Sequence, residues 1–380
     1  MKTILLMAMM KMKYWLTGLV VVGFLFAGMR VLALNKGRLT SGGDASTFYL
    51  RTYELWYYGP YRMRQGEKVA PLRTRNLSDM IAVQKHQPYH EAIRAQGFQS
   101  VDLSRAGSGH FEILVRYKEN TGYFLVDSGA GNNIMFRSFA ESCGIKGQPT
   151  PTSMGMMNIT ELKGAKTSED FPVVFSQVFL LQPDQDRLPK PDEAIAIRWQ
   201  SVGIIGAGFL REHRAILDYG SDTLFLSVKK SDEASARLKK ELLLLGYHPV
   251  RLQWRKNAGF WNVPVNFGTH TVEFTVDSGS STTSVDSELA NKLHIKVLNG
   301  ATQPMTGVDY SAGAKTGRSQ LCSLTVDGFQ ADFGGVWVTS KGNHNGPDDA
   351  ILGNDLLALY SAVLDFGAET LYLKPHSAKK

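Results

Sequence analysis

The stretch Phe124-Leu-Val-Asp-Ser-Gly129 recurs as Phe274-Thr-Val-Asp-Ser-Gly279, 150 positions later in a chain of 380 residues. In both copies an apolar run typical of a β-strand leads into a turn that carries a single aspartate. These aspartates are Asp127 and Asp277. The duplication indicates a repeated structural unit, and it makes two carboxylates available to one site.

Matching landmarks surround both turns. They are Gly97–Leu103 over Gly246–Leu252, Phe111–Tyr117 over Trp261–Phe267, Ile204–Leu210 over Ile351–Leu357, and Ala215–Leu226 over Ala362–Leu373. Their order is the same in both halves, and the offset drifts only between 147 and 150 positions. An ordered series at a nearly fixed period is the signature of an internal repeat. The sequence therefore predicts two homologous lobes, over residues 98–229 and 247–375.

Each lobe has the pattern of an all-β domain. Val, Ile, Phe, Tyr and Thr cluster in short runs bounded by Gly, Asn, Asp and Ser, as in strands joined by tight turns. Tyr219–Asp222 and Phe366–Glu369 are predicted hairpin turns. Between the lobes, Ser231–Leu245 predicts a connecting helix, because Ser231 suits its N-cap and Gly246 its end. We assign residues 230–246 to this linker helix.

Two carboxylates about 3 Å apart cannot easily both ionise, so one pKa rises and the pair shares a proton. The ionised member can take a proton from a bound water while the protonated member donates to a carbonyl oxygen. This chemistry requires no metal and no cofactor. The duplicated turns therefore indicate acid/base hydrolysis of a peptide bond, with Asp127 and Asp277 as the candidate catalytic pair.

The neighbours of the two aspartates suit the same task. Ser128 and Ser278 are candidates to hydrogen-bond across the lobe interface and hold the turns in register. Gly129 and Gly279 let the backbone pass close to the carboxylates, where a Cβ would obstruct it.

The motifs resemble those of the retropepsin-like and pepsin-like aspartic peptidases. In that family, hydrophobic-Asp-Ser/Thr-Gly-Ala/Ser is followed later in the lobe by hydrophobic-hydrophobic-Gly. The matching segments, within residues 98–375, are Val126–Ala130 and Val276–Ser280 for the first motif and Ile204–Leu210 and Ile351–Leu357 for the second. Ile204–Leu210 departs from the family pattern because Ala207-Gly208 replaces the usual polar pair.

The resemblance implies an all-β, bilobal acid-protease-like fold with two β-barrel lobes, a short connecting helix and a substrate cleft between the lobes. It also implies a flap hairpin that carries a glycine. The candidate flaps are residues 153–167 and 304–316, with Gly155 and Gly307 as candidate tip residues. Pepsins use a flap tyrosine in the first lobe, whereas the tyrosine here, Tyr310, lies in the second candidate.

Together these features predict an aspartic endopeptidase that acts on a peptide or protein substrate as a monomer with an intramolecular pseudo-dimer. Two alternatives stay open: a bilobal protein of the same fold that binds peptides without cleaving them, and pairing of each lobe with a lobe of another chain. Asp218, Asp355 and Asp365 also fall within the repeated landmarks. Stabilisation of turns and hydrogen bonding to backbone explain these three carboxylates without a catalytic role.

The composition excludes several other classes. The formal charge is +7, but Lys and Arg are scattered without a run or a stacking motif, so no nucleic-acid partner is predicted. Serine-hydrolase, zinc-protease and P-loop motifs are absent from the sequence. A metal site at His86 and His90 is disfavoured, because Pro88 interrupts a helix there and no third ligand is apparent. Cys143 and Cys322 have no metal or redox spacing and fit either one interlobe disulfide or two buried free thiols.

The N-terminal segment, residues 1–35, predicts targeting. Lys2, Lys11 and Lys13 precede an uncharged, mainly apolar run over residues 14–29, which fits an uncleaved signal anchor or a cleaved signal peptide. Either reading places a membrane contact at the N-terminus and the lobes outside the cytoplasm, in the periplasm or the extracellular space, or secreted if the segment is cleaved. Residues 36–97 form a basic juxtamembrane segment that suits a tether, a propeptide or, through its aromatic residues, a docking segment.

Overall fold

The structure is a computed structural model that describes residues 87–105, 110–152, 155–181, 201–227, 233–297, 303–305, 314–319, 322–333, 335–339 and 350–375. These residues belong to the unit that extends from Val83 to Lys380. Residues 1–35, residues 36–86, and the flap candidates Gly307 and Tyr310 lie outside the described residues. Among the helices that are described, none is long and apolar enough to cross a bilayer.

The first half of the described chain forms eleven strands. They are β1 (Phe98–Asp102), β2 (Ser104–Arg105), β3 (Phe111–Tyr117), β4 (Asn120–Asp127), β5 (Asn133–Phe136), β6 (Gln148–Thr152), β7 (Gly155–Thr167), β8 (Pro172–Leu181), β9 (Ser201–Gly206), β10 (Ile216–Asp218) and β11 (Thr223–Ser227).

The second half repeats this series. Its strands are β12 (His248–Arg251), β13 (Gln253–Arg255), β14 (Phe260–Phe267), β15 (His270–Val276), β16 (Ser284–Asp286), β17 (Gln303–Met305), β18 (Ala314–Arg318), β19 (Cys322–Val326), β20 (Phe329–Phe333), β21 (Trp337–Thr339), β22 (Ala350–Leu352), β23 (Val363–Asp365) and β24 (Thr370–Leu373).

Six short helices complete the described part of the fold. They are α1 (Pro88–Arg94), α2 (Arg137–Ser142), α3 (Ala207–Glu212), α4 (Glu233–Leu244), α5 (Ser287–Lys292) and α6 (Asn354–Leu359). Helix α5 has a side-chain N-cap, because Asp286 accepts the Leu289 amide at 2.6 Å. The connecting helix predicted over Ser231–Leu245 is present as α4.

Each lobe is built on a curved sheet with the same local pattern. In the first lobe the strand order is β2-β3-β4-β9-β5-β8-β7-β6, and an extra pairing of β3 with β7 closes the sheet towards a barrel. In the second lobe the order is β17-β18-β21-β16-β22-β15-β14-β19-β20, with β13 on β14. The prediction of an all-β, bilobal acid-protease-like fold is confirmed.

A third sheet joins the lobes, and its six strands run in the order β1-β11-β10-β23-β24-β12. Three strands come from each half, and the halves meet where Leu217 on β10 pairs with Leu364 on β23. The predicted hairpin turns at Tyr219–Asp222 and Phe366–Glu369 are confirmed, since they connect β10 to β11 and β23 to β24.

The two faces of the joining sheet bury different residues. Leu217 and Leu364 face the main core, which continues through both lobes. Ile216 and Val363, one position away, face a smaller core formed with Tyr89 and other residues of α1 and α4. This alternation is the two-residue period of a strand that is buried on both faces.

Helix α1 lies in the segment that the sequence assigned to residues 36–97, and it packs against α4. Pro88 begins this helix and does not interrupt one, because the missing amide of a proline costs nothing at a first helical position. The Tyr89 hydroxyl donates to Asp218 at 2.7 Å, and the His90 ring lies 2.8 Å from the same carboxylate. His90 therefore has a structural partner in the joining sheet.

We predict that Leu364→Ala lowers the free energy of unfolding by roughly 2–5 kcal/mol, because a fully buried leucine leaves a cavity that the two lobes must share. Urea unfolding of the purified protein measures the change. Leu244→Ala is the matched control, since Leu244 is 74% exposed on α4 and its truncation removes little buried surface. Equal losses in both variants would contradict this description of the joining sheet.

Candidate active site

Both aspartates lie at the end of a strand that is held on two sides. Strand β4 pairs antiparallel with β3 and parallel with β9, so that Asp127 stands beside Gly206. In the second lobe β15 pairs in the same way with β14 and with β22, and the Asp277 amide donates to the Leu352 carbonyl at 3.1 Å. The strands of the apolar-apolar-Gly motif, β9 and β22, thus fix the position at which each turn leaves its sheet.

Ser128 and Ser278 link the two turns reciprocally. The Ser128 hydroxyl donates to the Val276 carbonyl at 2.7 Å, and the Ser278 hydroxyl donates to the Val126 carbonyl at 2.8 Å. Each hydroxyl also accepts the backbone amide of the opposite serine at 2.9 Å. Both side chains are fully buried, so these four hydrogen bonds face no competition from water. They hold the two lobes in register at the aspartates.

The glycines after the serines face the opposite carboxyl group. A Cβ placed on Gly129 would overlap the carboxyl carbon of Asp277, and a Cβ on Gly279 would overlap that of Asp127. Only glycine leaves room for both carboxyl groups at this point. The two turns are therefore packed against each other's aspartate.

The two carboxyl groups hydrogen-bond each other. Asp127 is buried, whereas Asp277 keeps part of its surface exposed. Removal from water raises the pKa of Asp127, and it raises the pKa of Asp277 well above the usual range, where the neighbouring Asp127 charge adds to the effect. Such a pair holds one proton between its two members.

Backbone amides stabilise the negative charge on the aspartate pair. Asp127 Oδ1 accepts the amides of Gly129 and Ala130, each at 2.9 Å. Asp277 Oδ1 accepts the amide of Gly279 at 2.7 Å. One carboxylate can therefore stay ionised beside a protonated partner, which is the arrangement that general acid/base chemistry on a bound water needs.

The lobes use different side chains to hold the glycine strand behind each turn. In the first lobe Asn133 Oδ1 accepts the Gly206 amide at 3.0 Å. In the second lobe the hydroxyl of Thr283, at the corresponding position, accepts the Gly353 amide at 3.1 Å and donates to Asp355 at 2.7 Å. Asp355 is thus a supporting residue, as its position in the repeat suggested.

Asp218 and Asp365 lie in the joining sheet. Asp218 accepts the Gly220 amide at 2.8 Å, and Asp365 accepts the amides of Gly367 and Ala368 at 3.0 and 2.9 Å. Both carboxylates stabilise the hairpin turns that follow them. Sequence reasoning did not find the partners of Asp218 on α1, because their separation of 128 or more positions follows no periodic pattern.

Of the flap candidates, the structure describes only Gly155, which begins β7. Thr152 pairs with Gly155, so the two lie next to the turn of the β6–β7 hairpin. The β17–β18 hairpin occupies the corresponding place in the second lobe. The assignment of Gly155, Gly307 and Tyr310 to flaps stays a prediction.

Within the described ranges no group of three or more metal-binding side chains comes together. Cys143 is a buried free thiol in the first lobe.

Residues 263–356 match a protein-family model described as aspartyl protease. This segment contains Asp277, its turn and the Gly353 strand. Together with the fold, the match identifies an aspartic-peptidase architecture of two barrel lobes.

Two solved structures resemble the chain at low identity. Conglutin gamma, a basic 7S globulin from lupine seeds, is 10% identical with a TM-score of 0.39, over 74% of this chain and 96% of its own. An aspartic proteinase from Irpex lacteus is 14% identical with a TM-score of 0.37, over 74% of this chain and 98% of its own. No curated protein sequence matches the chain. Likenesses at this level do not bear on activity.

We predict that Asp277→Asn stabilises the protein at neutral pH relative to wild type. The folded-state pKa of Asp277 lies above its unfolded value of about 3.9, so the folded protein binds a proton that the unfolded chain releases. The wild type therefore loses stability as the pH rises between these two pKa values. The advantage of the variant should be absent below about pH 4 and should grow by about 1.4 kcal/mol for each pH unit up to the folded-state pKa. Urea unfolding across this range measures it, and a difference that does not change with pH would contradict the raised pKa.

Proposed function

We propose that this protein is an aspartic endopeptidase that hydrolyses peptide bonds in peptides or proteins. The observation that carries the proposal is the contact between the carboxyl groups of Asp127 and Asp277, held by reciprocal serine bonds at the junction of two lobes. A pair that shares one proton supplies a base and an acid within reach of the same water molecule.

In the proposed reaction, the ionised carboxylate accepts a proton from a water held between the two aspartates. That water attacks the carbonyl carbon of the scissile peptide, while the protonated carboxyl donates its hydrogen to the carbonyl oxygen. The resulting diol collapses as its C–N bond breaks: the amide nitrogen takes a proton from one carboxyl group, and a diol hydroxyl returns its proton to the other carboxylate as the carbonyl re-forms, which restores the single proton on the pair. The acid and base roles belong to the pair, because the two carboxyl groups titrate together.

The reaction needs one proton on the pair, so cleavage depends on pH on both sides of an optimum. Full protonation removes the base at low pH, and loss of the shared proton removes the acid at higher pH. The raised pKa of both aspartates supports an optimum in the acid to near-neutral range.

We predict that Asp127→Asn and Asp277→Asn each lower kcat/KM by at least about 10³-fold, since either change removes one member of a unit. The assay is cleavage of a diverse peptide mixture at acid pH, with pepstatin as the inhibitor. Asp365→Asn is the matched control, because Asp365 is also buried with a raised pKa but lies in the joining sheet, and it should keep activity.

Mixing the two inactive variants tests whether the pair forms within one chain. An intramolecular pair predicts that the mixture stays inactive, whereas lobes that pair between chains would regain one intact site. If wild type and variants bind peptides equally well and none cleaves, the protein is the non-catalytic peptide binder and the endopeptidase proposal is wrong.

We also propose that residues 1–35 attach the protein to a membrane, with both lobes outside the cytoplasm. The basis is the uncharged, mainly apolar run over residues 14–29 behind three lysines. The full chain should sediment with membranes and resist extraction at high salt, and deletion of residues 1–35 should release it. Digestion of the lobes by protease added to cells from which any outer membrane has been removed checks the side of the membrane, and full protection there would contradict the proposal.

A further inference from the structure

The two lobes differ at positions that the internal repeat makes equivalent. Tyr219 of the first lobe corresponds to Phe366 of the second, and His110 corresponds to Phe260. In both cases the first lobe has a side chain that forms hydrogen bonds where the second lobe has a phenyl ring. Both first-lobe residues lie beside the catalytic turn of the opposite lobe.

Tyr219 reaches that turn through Asn354, the first residue of α6. The Tyr219 hydroxyl donates to Asn354 Oδ1 at 2.5 Å, and Asn354 Nδ2 donates to the Ser278 carbonyl at 2.9 Å. Both side chains are 4% exposed. The Ser278 carbonyl can only accept, so it requires the Nδ2 side of the amide to face it, and the Tyr219 hydroxyl holds this orientation by donating to the oxygen on the other side. Asn354 is therefore locked as a donor to the catalytic turn.

The Ser278 carbonyl belongs to a peptide whose other end contacts the catalytic carboxyl group. A peptide unit is planar, so holding its carbonyl also aims its N–H. The N–H of this unit is that of Gly279, which donates to Asp277 Oδ1 at 2.7 Å. Tyr219 and Asn354 therefore direct a hydrogen-bond donor at Asp277 without touching the carboxyl group.

His110 acts on the next peptide along the turn. Its ring hydrogen-bonds the backbone of Gly279, whose own amide donates to Asp277 Oδ1 at 2.7 Å, and the following amide, that of Ser280, donates to the Asp277 backbone carbonyl at 3.3 Å. Burial lowers the pKa of His110 to about 4, so above that pH the ring is neutral and still has one N–H to donate. Two consecutive peptides beside Asp277 are thus held, one by His110 and the other by Asn354, which Tyr219 of the first lobe supports.

The turn that carries Asp127 has different surroundings. The residue equivalent to Asn354 is Ala207, and those equivalent to Tyr219 and His110 are Phe366 and Phe260. None of these three side chains contains a hydrogen-bonding group. The outer support of the pair is therefore asymmetric, although its serine bonds are symmetric.

We propose that Tyr219, acting through Asn354, and His110 are positioning residues that hold the backbone at Gly279, whose amide donates to Asp277, and so set the pH range in which the pair is active. This inference rests on the proposed endopeptidase function for its catalytic consequence. A carboxylate that loses a donor is less stable in its charged form, so its pKa rises. Weakening the support should therefore move both limbs of the pH profile upwards.

The titratable groups around Asp277 are few among the described residues. Asp127 is its partner, and Tyr219 and His110 are the groups just described. Beyond them, Arg105 and Asp222 form an ion pair at 2.5 Å and both act on Tyr219. Burial and the two catalytic aspartates raise the pKa of Tyr219 well above 10, so its hydroxyl stays protonated as a donor.

The test replaces each positioning residue by the residue of the other lobe, as Tyr219→Phe and His110→Phe in the full chain. We expect kcat to fall about tenfold in each variant with little change in KM, because both side chains are buried and act through the backbone of the turn. The bell-shaped profile of kcat/KM should move upwards by roughly half a pH unit to one unit.

Tyr89→Phe is the matched control. It also deletes a buried tyrosine hydroxyl that donates at 2.7 Å, but to Asp218 in the joining sheet. It should lower stability while leaving the pH profile in place. An unchanged profile in Tyr219→Phe and His110→Phe, or an equal shift in Tyr89→Phe, would overturn the proposal.

A double-mutant cycle tests the route through Asn354. If Tyr219 acts only through that residue, Tyr219→Phe adds little to Asn354→Ala in the pH shift. Additive shifts would overturn this route.

A titration of the carboxyl pair in protein labelled with ¹³C at aspartate reads the same shift without turnover. If wild type does not cleave, the endopeptidase proposal fails, and this titration still decides the role of the positioning residues.

Discussion

Two carboxyl groups in hydrogen-bond contact resist joint ionisation, and the folded chain must hold them together against that repulsion. Here the restraint comes from four serine–backbone hydrogen bonds, all buried and all crossing between the lobes. The glycines beside the serines add a steric condition, since neither turn has space for a side chain against the opposite aspartate. The sheets, the glycine strands and the short helices all serve to bring these two turns face to face.

Duplication explains the symmetric part of the site and also defines what is not symmetric. Paired strands, serine bonds and glycines recur in both lobes, as expected when one unit is copied. The side chains that support them have diverged. Asn133 accepts the glycine amide in the first lobe, whereas Thr283, bonded to Asp355, accepts it in the second. Asn354 donates to the second turn, and its equivalent in the first lobe is an alanine. Equal carboxyl groups in unequal surroundings acquire unequal proton affinities, so the proton that their repulsion makes them share is distributed unequally between them.

The sequence predicted the features that depend on local pattern or on the repeat. The two lobes, the turns at Asp127 and Asp277 and the hairpins at Tyr219 and Phe366 follow from strand runs, turn residues and matching offsets. The sequence did not predict contacts between segments that no repeat or periodic pattern relates. Pro88 suggested a broken helix, whereas the structure uses it to begin one that binds Asp218. The Tyr219–Asn354 contact spans 135 positions between non-equivalent sites, and only the difference from Phe366 hinted at it.

The joining sheet has a mechanical consequence. Its six strands come from both halves of the chain. Their backbone pairing passes without a break from β11 and β10 to β23 and β24. Rotating the halves apart would break the backbone hydrogen bonds between β10 and β23. These bonds lie between two apolar cores, where water cannot replace them. The continuous ladder therefore resists separation of the two halves at this sheet. Any widening of the space between the lobes therefore has to come from rearrangement of loops and not from a hinge at this sheet.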